Sequence, residues 1–585
     1  MIHAFICSER GFKNLIGFHS RLILFVLFIG ISYVSKAQSP DFNWVSNGHQ
    51  KNILRQSIQY DSKGNIYMIG MYHETVNVDP GGTDLTLSSQ SSSNEDMFLL
   101  KYNSKGILVK GVRIGGSNFK YAKEILVDQS GRLIISADFN GDIDFDDDGV
   151  DELSVSTNTV STFIAQYDSD LNFNWAADMP GLHSMSLDAN GNIYTILLAY
   201  GTITYGKKNA SRTLTYNDYF VFVTLKPDGT IKSEFSLWSN DFQIVIQHNK
   251  IMVDAYKNIY CSGYFTLSAD FDPGAGSAVL KEVGRDSGTG FLDAFVVKYD
   301  SAGNFKWVKQ IGGKYNERIF SLGISPSNEL LFIGNSDGNI DVDPGPGVFN
   351  SNNKDFMVKL DQNGNFIWIK PCIDNVSYNL ERKFSKFDKD DNMYMGGRFF
   401  GKLDFDVSAS TYDVTSAGFN DVFIQKLSRN GDLVWVKTFG GVNEDRLLDF
   451  DVLDSNSMAF TAQFTNEVWL KSGSQLNKYT SACDSCANGF LIRATDFNGT
   501  GFKEITTQSN SFTVFPNPSV GNPLIQSSEN GTLVVYNAIG QVLNTVNIEK
   551  DFAIELDLKF VDNGLYSLVL YTDKGKSTQK LVISH

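Results

Sequence analysis

Alternation of apolar and polar residues with a period of two runs through most of the chain and predicts short β-strands. A turn related to Asp-x-x-Gly-Asn recurs and is followed each time by an apolar strand. The aspartate can bond its own backbone two residues on, and glycine accepts a positive φ, so each turn predicts a β-hairpin. Seven copies begin at residues 61, 128, 188, 254, 325, 388 and 454: DSKGNIYMIGMY, DQSGRLIISADF, DANGNIYTILLAY, DAYKNIYCSGYF, SPSNELLFIGNS, DKDDNMYMGGRF and DSNSMAFTAQF.

The spacing of these copies predicts the architecture. Measured at the residue after the turn, the copies lie 67, 60, 66, 71, 63 and 65 residues apart, which is longer than the period of about 33 to 47 residues of α-solenoids. A third alternating run, such as DAFVVKYD at 293, and a fourth, such as FKWVKQIGG at 305, complete each copy. Seven units of four antiparallel strands predict an all-β, seven-bladed β-propeller at 38–508, because each sheet buries its faces against its neighbours.

Two segments could supply the outermost strand of the last sheet. DFNWV at 41–45 and GFKEI at 501–505 both resemble the fourth strand of the repeat. A ring closed by both chain ends needs one of them, and the pattern leaves both open.

The pattern changes at the C-terminal end. Residues 509–585 contain alternating strands separated by turns such as Asn-Ala-Ile-Gly and Asp-Lys-Gly. They predict a separate small Ig-like β-sandwich.

The N-terminal segment predicts export. Basic residues precede an apolar run of 13 residues, LILFVLFIGISYV, which is short for a bilayer span of about 20 residues. Small residues stand before Gln38, so we expect residues 1–37 to be a signal peptide cleaved between Ala37 and Gln38. An uncleaved membrane anchor is the alternative; otherwise we expect no transmembrane span in the mature chain.

Composition narrows the partners. The 585 residues include 50 Lys and Arg against 66 Asp and Glu, a net charge of -16, which disfavours nucleic acid as a partner. Four cysteines follow the leader. Cys483 and Cys486 form an isolated CxxC, for which a local disulfide is the better interpretation than a zinc site, and Cys261 is expected to be buried.

Two resemblances to known families follow from these residues. The frame GG-x-x-N-E-R, the turn Asp-x-x-Gly-Asn-Ile-Tyr, DFDPG and DAFVVKYDSAGNFKWVKQIGG over about 41–506 resemble the SBBP-type propeller repeats of secreted bacterial proteins. The tail resembles the type A C-terminal sorting domain of the type IX secretion system. The motif positions are Pro516, Asn517, Pro518, Gly540, Gly564, Tyr566 and Lys580.

The second resemblance implies a route and a location. It implies passage through the periplasm, recognition by the type IX machinery, and display on the cell surface or release as a secreted protein. In that family the tail is commonly removed.

Acidic pairs recur between the second and third strands, as in Asp270-x-Asp272-Pro-Gly, and predict turns. The second repeat differs, because Asp144, Asp146, Asp148 and Glu152 stand at positions 1, 3, 5 and 9 with glycine at position 6. This spacing suits oxygen ligands around Ca²⁺, with a solvated acidic turn as the alternative.

Catalytic motifs are lacking in the sequence: it contains no HExxH and no GxSxG, and its histidines are isolated. Tryptophans at 44, 175, 307, 368 and 435 share one repeat position, which indicates packing between blades. We therefore expect a non-catalytic propeller that binds a glycan or protein. The alternatives are a polysaccharide hydrolase or lyase acting at the central channel, marked by an inner acidic residue of raised pKa, and a purely structural adhesin.

Overall fold

A computed structural model describes 41–47, 53–79, 85–89, 95–237, 250–283, 291–338, 340–341, 350–351, 355–371, 380–408, 410–455, 457–465, 467–472, 475–480, 487–495 and, with short gaps, 512–584. These residues are all-β, as predicted, and contain no helix. The chain divides into two compact units, Met1–Asn498 and Gly499–His585.

Seven four-stranded antiparallel sheets account for most of the described residues of the first unit. Strand β1 is Asp41–Asn47. Sheet 1 contains β2 (Ile53–Tyr60), β3 (Ile66–Tyr72), β6 (Asp96–Tyr102) and β7 (Leu108–Ile114), with a side hairpin of β4 (Thr75–Asn77) and β5 (Thr86–Ser88). Sheet 2 contains β8 (Lys120–Val127), β9 (Leu133–Phe139), β12 (Ser161–Tyr167) and β13 (Phe173–Asp178), with a side hairpin of β10 (Asp142–Ile143) and β11 (Leu153–Ser154). Sheet 3 contains β14 (Leu182–Leu187), β15 (Ile193–Tyr205), β16 (Arg212–Leu225) and β17 (Ile231–Leu237).

The next sheets repeat this order. Sheet 4 contains β18 (Lys250–Val253), β19 (Ile259–Phe265), β22 (Asp293–Tyr299) and β23 (Phe305–Ile311), with β20 (Ser268–Asp270) and β21 (Val279–Lys281) as side hairpin. Sheet 5 contains β24 (Glu317–Ile324), β25 (Leu330–Ser336), β28 (Asp355–Leu360) and β29 (Phe366–Pro371), with β26 (Ile340–Asp341) and β27 (Asn350–Ser351). Sheet 6 contains β30 (Leu380–Phe387), β31 (Met393–Phe399), β34 (Asp421–Leu427) and β35 (Leu433–Phe439), with β32 (Lys402–Asp404) and β33 (Asp413–Thr415). Sheet 7 contains β36 (Arg446–Asp454), β37 (Ser457–Thr465), β40 (Ala487–Thr495) and β1, with β38 (Glu467–Ser472) and β39 (Gln475–Thr480).

The recurrent aspartate forms the first hairpin of the sheets by the predicted mechanism. In sheet 3, one carboxylate oxygen of Asp188 accepts the backbone N–H groups of Asn190 and Asn192, both at 2.9 Å. The other oxygen accepts the side-chain amide of Asn192 at 2.7 Å and the hydroxyl of Tyr194 at 3.3 Å. Gly191 takes a φ of 75°. One side chain thus satisfies the turn and joins it to the buried strand that follows.

The side hairpins explain the recurrent acidic pairs. In sheet 4, Asp270 Oδ1 accepts the N–H of Asp272 at 3.1 Å and that of Ala278 at 2.8 Å. In sheet 6, Asp404 Oδ1 accepts the N–H of Tyr412 at 2.7 Å. The turn interpretation of these pairs is confirmed. Sheet 3 has no separate side hairpin in its described residues, because β15 and β16 continue as one long hairpin.

The sheets contact one another in chain order through their first strands. Each first strand, from β2 to β30, contacts the first strand of the following sheet, and β36 of sheet 7 contacts β2 of sheet 1. The apolar core lies between consecutive sheets. One cluster combines Ile69 and Leu99 of sheet 1 with Ile135 and Phe163 of sheet 2. Burial between neighbours is therefore the main source of stability.

The N-terminal strand completes the last sheet. β1 pairs antiparallel with β40, with Val45 opposite Ile492. Residues 501–505, the other candidate for this position, lie outside the described residues. The outermost strand of sheet 7 thus comes from the opposite end of the chain to its other three strands.

The second unit is a two-sheet β structure. Its sheets contain β41 (Phe512–Phe515), β42 (Leu524–Ser527) and β45 (Ala553–Glu555) in one, and β43 (Gly531–Tyr536), β44 (Val542–Ile548), β46 (Gly564–Thr572) and β47 (Gly575–Ile583) in the other. Buried side chains from both sheets, among them Ile525, Val535 and Leu568, share one core.

Candidate functional site

A cavity of about 390 Å³, with a lining of mixed polar and apolar character, lies where the first strands of the seven sheets meet. The first strands of sheets 2 and 3 have β-bulges at Lys123 and His183, and both residues line the cavity. Alternation of side chains alone does not predict this placement. One side chain from each sheet illustrates its lining: Ser57, Glu124, His183, Lys250, Ser321, Lys386 and Asp449. The cavity therefore combines residues that are up to about 390 positions apart in the chain.

The charged side chains of the cavity are paired across sheets. Glu124 Oε1 lies 3.2 Å from Lys250 Nζ, and Glu124 Oε2 accepts the N–H of Met185 at 3.2 Å. Lys386 Nζ lies 3.3 Å from Asp451. Lys250 and Lys386 nevertheless keep 42% and 34% of their side chains exposed, so both can contact a ligand in the cavity.

Asp449 is the inner acidic residue of raised pKa that the enzyme alternative anticipates. Burial raises its pKa, and the Lys386 ammonium and the Ser57 hydroxyl oppose this rise. Asp449 Oδ2 accepts the Ser57 hydroxyl at 2.7 Å and the Ile58 N–H at 3.0 Å. Both contacts join sheet 7 to sheet 1, so this carboxylate has a structural task.

The acidic loop at 144–152 is a second candidate site, at the tip of the β10–β11 hairpin. The four predicted ligands, Asp144, Asp146, Asp148 and Glu152, each offer an oxygen within 4.8 Å of the others. Asp144 is 3% exposed, and its carboxylate accepts the N–H of Asp147 at 2.8 Å and that of Gly149 at 2.9 Å. These bonds hold the loop in a curl, with Gly149 at a φ of 87°.

The carboxylates of this loop lie close enough together to repel one another. The pKa of Asp146 is raised by burial and by the neighbouring carboxylates of Asp148 and Asp144. The pKa of Glu152 is raised by burial and by the charges of Asp146 and Asp144, against a hydrogen bond from the N–H of Phe145. Such repulsion is what a hard cation bound by carboxylates would relieve.

The sorting residues that the structure describes bind one another within the tail. The Asn517 amide donates to the Lys580 carbonyl at 2.7 Å and accepts the Val582 N–H at 2.9 Å. The buried Tyr566 donates its hydroxyl to the Asp562 carbonyl at 2.5 Å. Gly564 begins β46. The motif therefore fixes the segment before β42 onto β47.

Several predicted positions lie outside the described residues. They are Ala37, Gln38, Cys483, Cys486, Pro516, Pro518 and Gly540. Cys261 is 3% exposed and free, in agreement with its predicted burial.

The repeated tryptophans that can be placed pack between sheets. An added Cβ at Gly229 of sheet 3 would meet the Trp175 ring of sheet 2 at 2.7 Å, and the indole N–H donates to Pro227 at 3.1 Å. An added Cβ at Gly364 of sheet 5 would likewise meet the Trp307 ring of sheet 4, at 3.0 Å. The packing interpretation is confirmed for these positions.

Comparison with protein families identifies the tail. Residues 513–584 match the family described as the secretion system C-terminal sorting domain. The chain thus carries a type IX sorting domain, is handled by the type IX machinery and is secreted to the cell surface or outside the cell. Among the described residues, no helix is long and apolar enough to cross a membrane.

Comparison with solved structures gives remote likenesses. A protein of unknown function from Dyadobacter fermentans DSM 18053 has 8% identity over 78% of this chain and 99% of its own, with a TM-score of 0.34. The NanB sialidase of Streptococcus pneumoniae has 9% identity over 79% and 71%, with a TM-score of 0.29. The Bacillus licheniformis rhamnogalacturonan lyase PL11 has 10% identity over 93% and 91%, with a TM-score of 0.25. Scores this low establish neither a shared fold nor a shared activity. No curated protein matches the chain.

Proposed function

We propose that the mature protein begins at Gln38 after removal of residues 1–37, that 38–508 form a seven-bladed β-propeller of SBBP-type repeats, and that 509–585 form an Ig-like sorting domain. The propeller is supported by seven four-stranded sheets whose first strands contact one another in order and return to the first. The repeat period of 60 to 71 residues supports the same unit.

The propeller serves as an exported binding module for a glycan or protein, without catalysis. The cavity at the first strands carries this proposal, because it combines polar and apolar lining residues and is large enough for a small sugar unit. Its charged groups are already held by partners within the protein, as Asp449 is by Ser57 and Ile58. Lys250 and Lys386 are paired but stay partly exposed, so they can still contact a polar ligand.

Binding can be tested on the mature protein with a glycan array and a pull-down from cell-surface material. The variant Lys386→Met should weaken capture at least about tenfold, because it removes a charged group from the cavity. Lys402→Met is the matched control, since Lys402 is 64% exposed and pairs with Asp413 away from the cavity. Equal capture by both variants would contradict a cavity site.

The alternative is a secreted polysaccharide hydrolase or lyase acting at the channel. The raised pKa of Asp449 favours it. It predicts turnover of a polysaccharide that Asp449→Asn abolishes, together with a bell-shaped dependence of rate on pH. Turnover with that signature would replace the binding proposal.

The acidic loop of sheet 2 is a proposed Ca²⁺ site. Asp144, Asp146, Asp148 and Glu152 would hold the ion through carboxylate oxygens, and the spacing of the four oxygens supports this assignment. The ion would stiffen the β10–β11 hairpin.

Metal binding can be measured as a change in melting temperature. Addition of Ca²⁺ should raise the Tm and a chelator should lower it by about 2 °C or more. Asp146→Asn should abolish this response, whereas Asp404→Asn, in the corresponding hairpin of sheet 6, should retain it. A Tm insensitive to Ca²⁺ in the unaltered protein would show a solvated acidic turn.

A further inference from the structure

One position of the repeat carries opposite charges at different places in the molecule. It is the sixth residue after the Ile or Phe of the motif Ile/Phe-Gly-Gly. The position begins the first strand of the next sheet or directly precedes that strand. Lys120 occupies it between sheets 1 and 2, Glu317 between sheets 4 and 5, and Asp445 between sheets 6 and 7. All three side chains are fully buried.

Each of these residues faces an aspartate that begins the third strand of the preceding sheet. The partners are Asp96, Asp293 and Asp421, which are 1%, 0% and 4% exposed. Two of the three interfaces therefore bury two acids against each other, and one buries an acid against a base.

The interface between sheets 1 and 2 is balanced in charge. Lys120 Nζ lies 3.2 Å from Asp96 Oδ1 and also donates to the carbonyls of Gly116 at 3.0 Å and Asn118 at 3.2 Å. Arg113 approaches the other oxygen of Asp96 at 2.8 Å. Burial lowers the pKa of Lys120, and the charge of Asp96 and its hydrogen bond oppose this fall.

At the interface between sheets 4 and 5, Asp293 and Glu317 are joined through the backbone. The Glu317 N–H donates to the Leu292 carbonyl at 2.6 Å, next to Asp293. Glu317 Oε1 accepts the Ser336 hydroxyl at 2.7 Å, and Oε2 accepts the Gly313 N–H at 3.0 Å. Asp293 Oδ2 accepts the Val283 N–H at 2.8 Å.

The interface between sheets 6 and 7 repeats this arrangement. The Asp445 N–H donates to the Asn420 carbonyl at 2.8 Å, next to Asp421. An added Cβ at Gly440 would meet both Asp421 Oδ1 and Asp445 Oδ2, so the two carboxyls face the same point. The Gly441 N–H donates to Asp445 Oδ2 at 2.6 Å.

In each acid pair, one carboxylate oxygen lacks a hydrogen-bond donor among the described residues. Among the described residues, Asp293 Oδ1 and Asp421 Oδ1 are buried without a hydrogen-bond partner. A buried carboxylate oxygen without a donor is costly, and a second carboxylate nearby increases the cost. A proton on one carboxyl of the pair removes both penalties, because it cancels one charge and supplies a donor.

Among the described residues, the charged groups that raise the pKa of the paired acids are themselves acidic. Glu282 faces Asp293, and Asp337 faces Glu317, both with the same sign. Glu444 faces Asp445, and it is itself bound by Arg398 and by Arg446.

We propose that Asp293 with Glu317, and Asp421 with Asp445, each share one proton and form pH-sensitive locks between sheets 4 and 5 and between sheets 6 and 7. In each lock the protonated carboxyl donates to its ionised partner. When the proton is released to solvent, two carboxylates repel each other across the interface, and the contact between the two sheets becomes less stable.

The titration of these groups gives the direction of the pH effect. Burial is the main cause that raises the pKa of Asp293 and Asp421 to about 6, of Asp445 to about 7 and of Glu317 to about 8. A pKa that is higher in the folded than in the unfolded chain contributes stability that is complete below the unfolded value. That stability is lost as the pH rises through the folded value. The loss should fall between about pH 4 and pH 8.

Thermal unfolding of the mature protein at about pH 5 and about pH 9 tests the locks. Glu317→Gln and Asp445→Asn should each raise the Tm at about pH 9 by about 2 to 4 °C relative to the unaltered protein. Their effect at about pH 5 should be smaller or reversed, because the amide replaces a protonated acid there. Asp96→Asn is the matched control and should lower the Tm at both pH values, since it deprives Lys120 of its counter-charge.

Infrared spectroscopy reports on the proton itself. The unaltered protein near neutral pH should show the C=O band of protonated carboxyls, and the Glu317→Gln, Asp445→Asn double variant should lose part of it. Parallel pH slopes of Tm in all variants and an unchanged band would overturn the proposal. In the Asp146→Asn background, which removes the response of the acidic loop, a rise in Tm at about pH 9 on addition of Ca²⁺ or Na⁺, with no such band, would also overturn the proposal and would assign the pairs to a cation.

Discussion

The interfaces between sheets 1 and 2 and between sheets 4 and 5 are built on the same repeat position and differ in charge. Lys120 neutralises Asp96 in the first, whereas Glu317 adds a second acid to Asp293 in the other. Both positions begin the first strand of a sheet, and the isoleucines six residues earlier, Ile114 and Ile311, are fully buried. The buried polar side chains at the two positions differ in charge. Apolar burial joins the sheets, and the buried polar groups set how each interface responds to pH.

The same comparison separates the two kinds of acid in the molecule. Asp188 belongs to a turn whose N–H groups it accepts, and these bonds lower its pKa against the effect of burial. The carboxyls of the acid pairs are deeply buried and face a like charge. The pKa of an aspartate therefore depends on how many hydrogen-bond donors point at its carboxylate, and not on burial alone.

Removal of the buried cation should have the largest effect. Lys120→Met removes the ammonium that lies 3.2 Å from the buried Asp96 Oδ1, and we expect the free energy of unfolding to fall by about 3 kcal/mol. Urea unfolding near neutral pH measures this change. The surface variant Lys402→Met should lower the same quantity by less than about 1 kcal/mol. Similar values for both would mean that the Lys120 pair adds no stability.

Introduction of a methyl group should disturb the acid pairs more than the ion pair. Gly440→Ala would press a Cβ against both carboxyls between sheets 6 and 7, and overpacking of this kind costs about 1 to 3 kcal/mol. In Gly115→Ala, the nearest atoms to the added Cβ belong to the guanidinium of Arg113, the far end of a long side chain that can shift more readily than an aspartate. The difference in urea midpoint between the two variants checks this order.

Loss of one hydroxyl should have the smallest effect. Ser336→Ala removes the donor to Glu317 Oε1 and should lower the free energy of unfolding by about 1 kcal/mol. Because this bond favours the ionised form, the loss should be greater at about pH 9 than at about pH 5. An equal loss at both pH values would indicate that Glu317 does not titrate in this range.

The sequence predicts the repeat well because its signals are local. Asp188, Gly191 and Asn192 stand within five residues, so turn chemistry alone predicts the hairpin. The choice of β1 as the outermost strand of sheet 7 needs the pairing of Val45 with Ile492, which no local pattern contains.

The cavity and the acid pairs could not be predicted in the same way. Glu124 and Lys250 meet because sheets 2 and 4 converge, and their spacing in the chain carries no sign of it. For the acid pairs, however, the sequence contains one indication that only a comparison of the repeats shows. Lys120, Glu317 and Asp445 align at one buried repeat position with opposite charges, and such a reversal indicates a polar group with a structural or titrating role.

Truncation of the N-terminal strand tests most directly whether the seven sheets form a closed ring. A chain that starts at residue 48 lacks β1, which exposes the edge of β40 in sheet 7. Compared with a chain that starts at Gln38, it should unfold at a clearly lower temperature and in a broader transition. Unchanged cooperative unfolding of the shorter chain would contradict closure by the two chain ends.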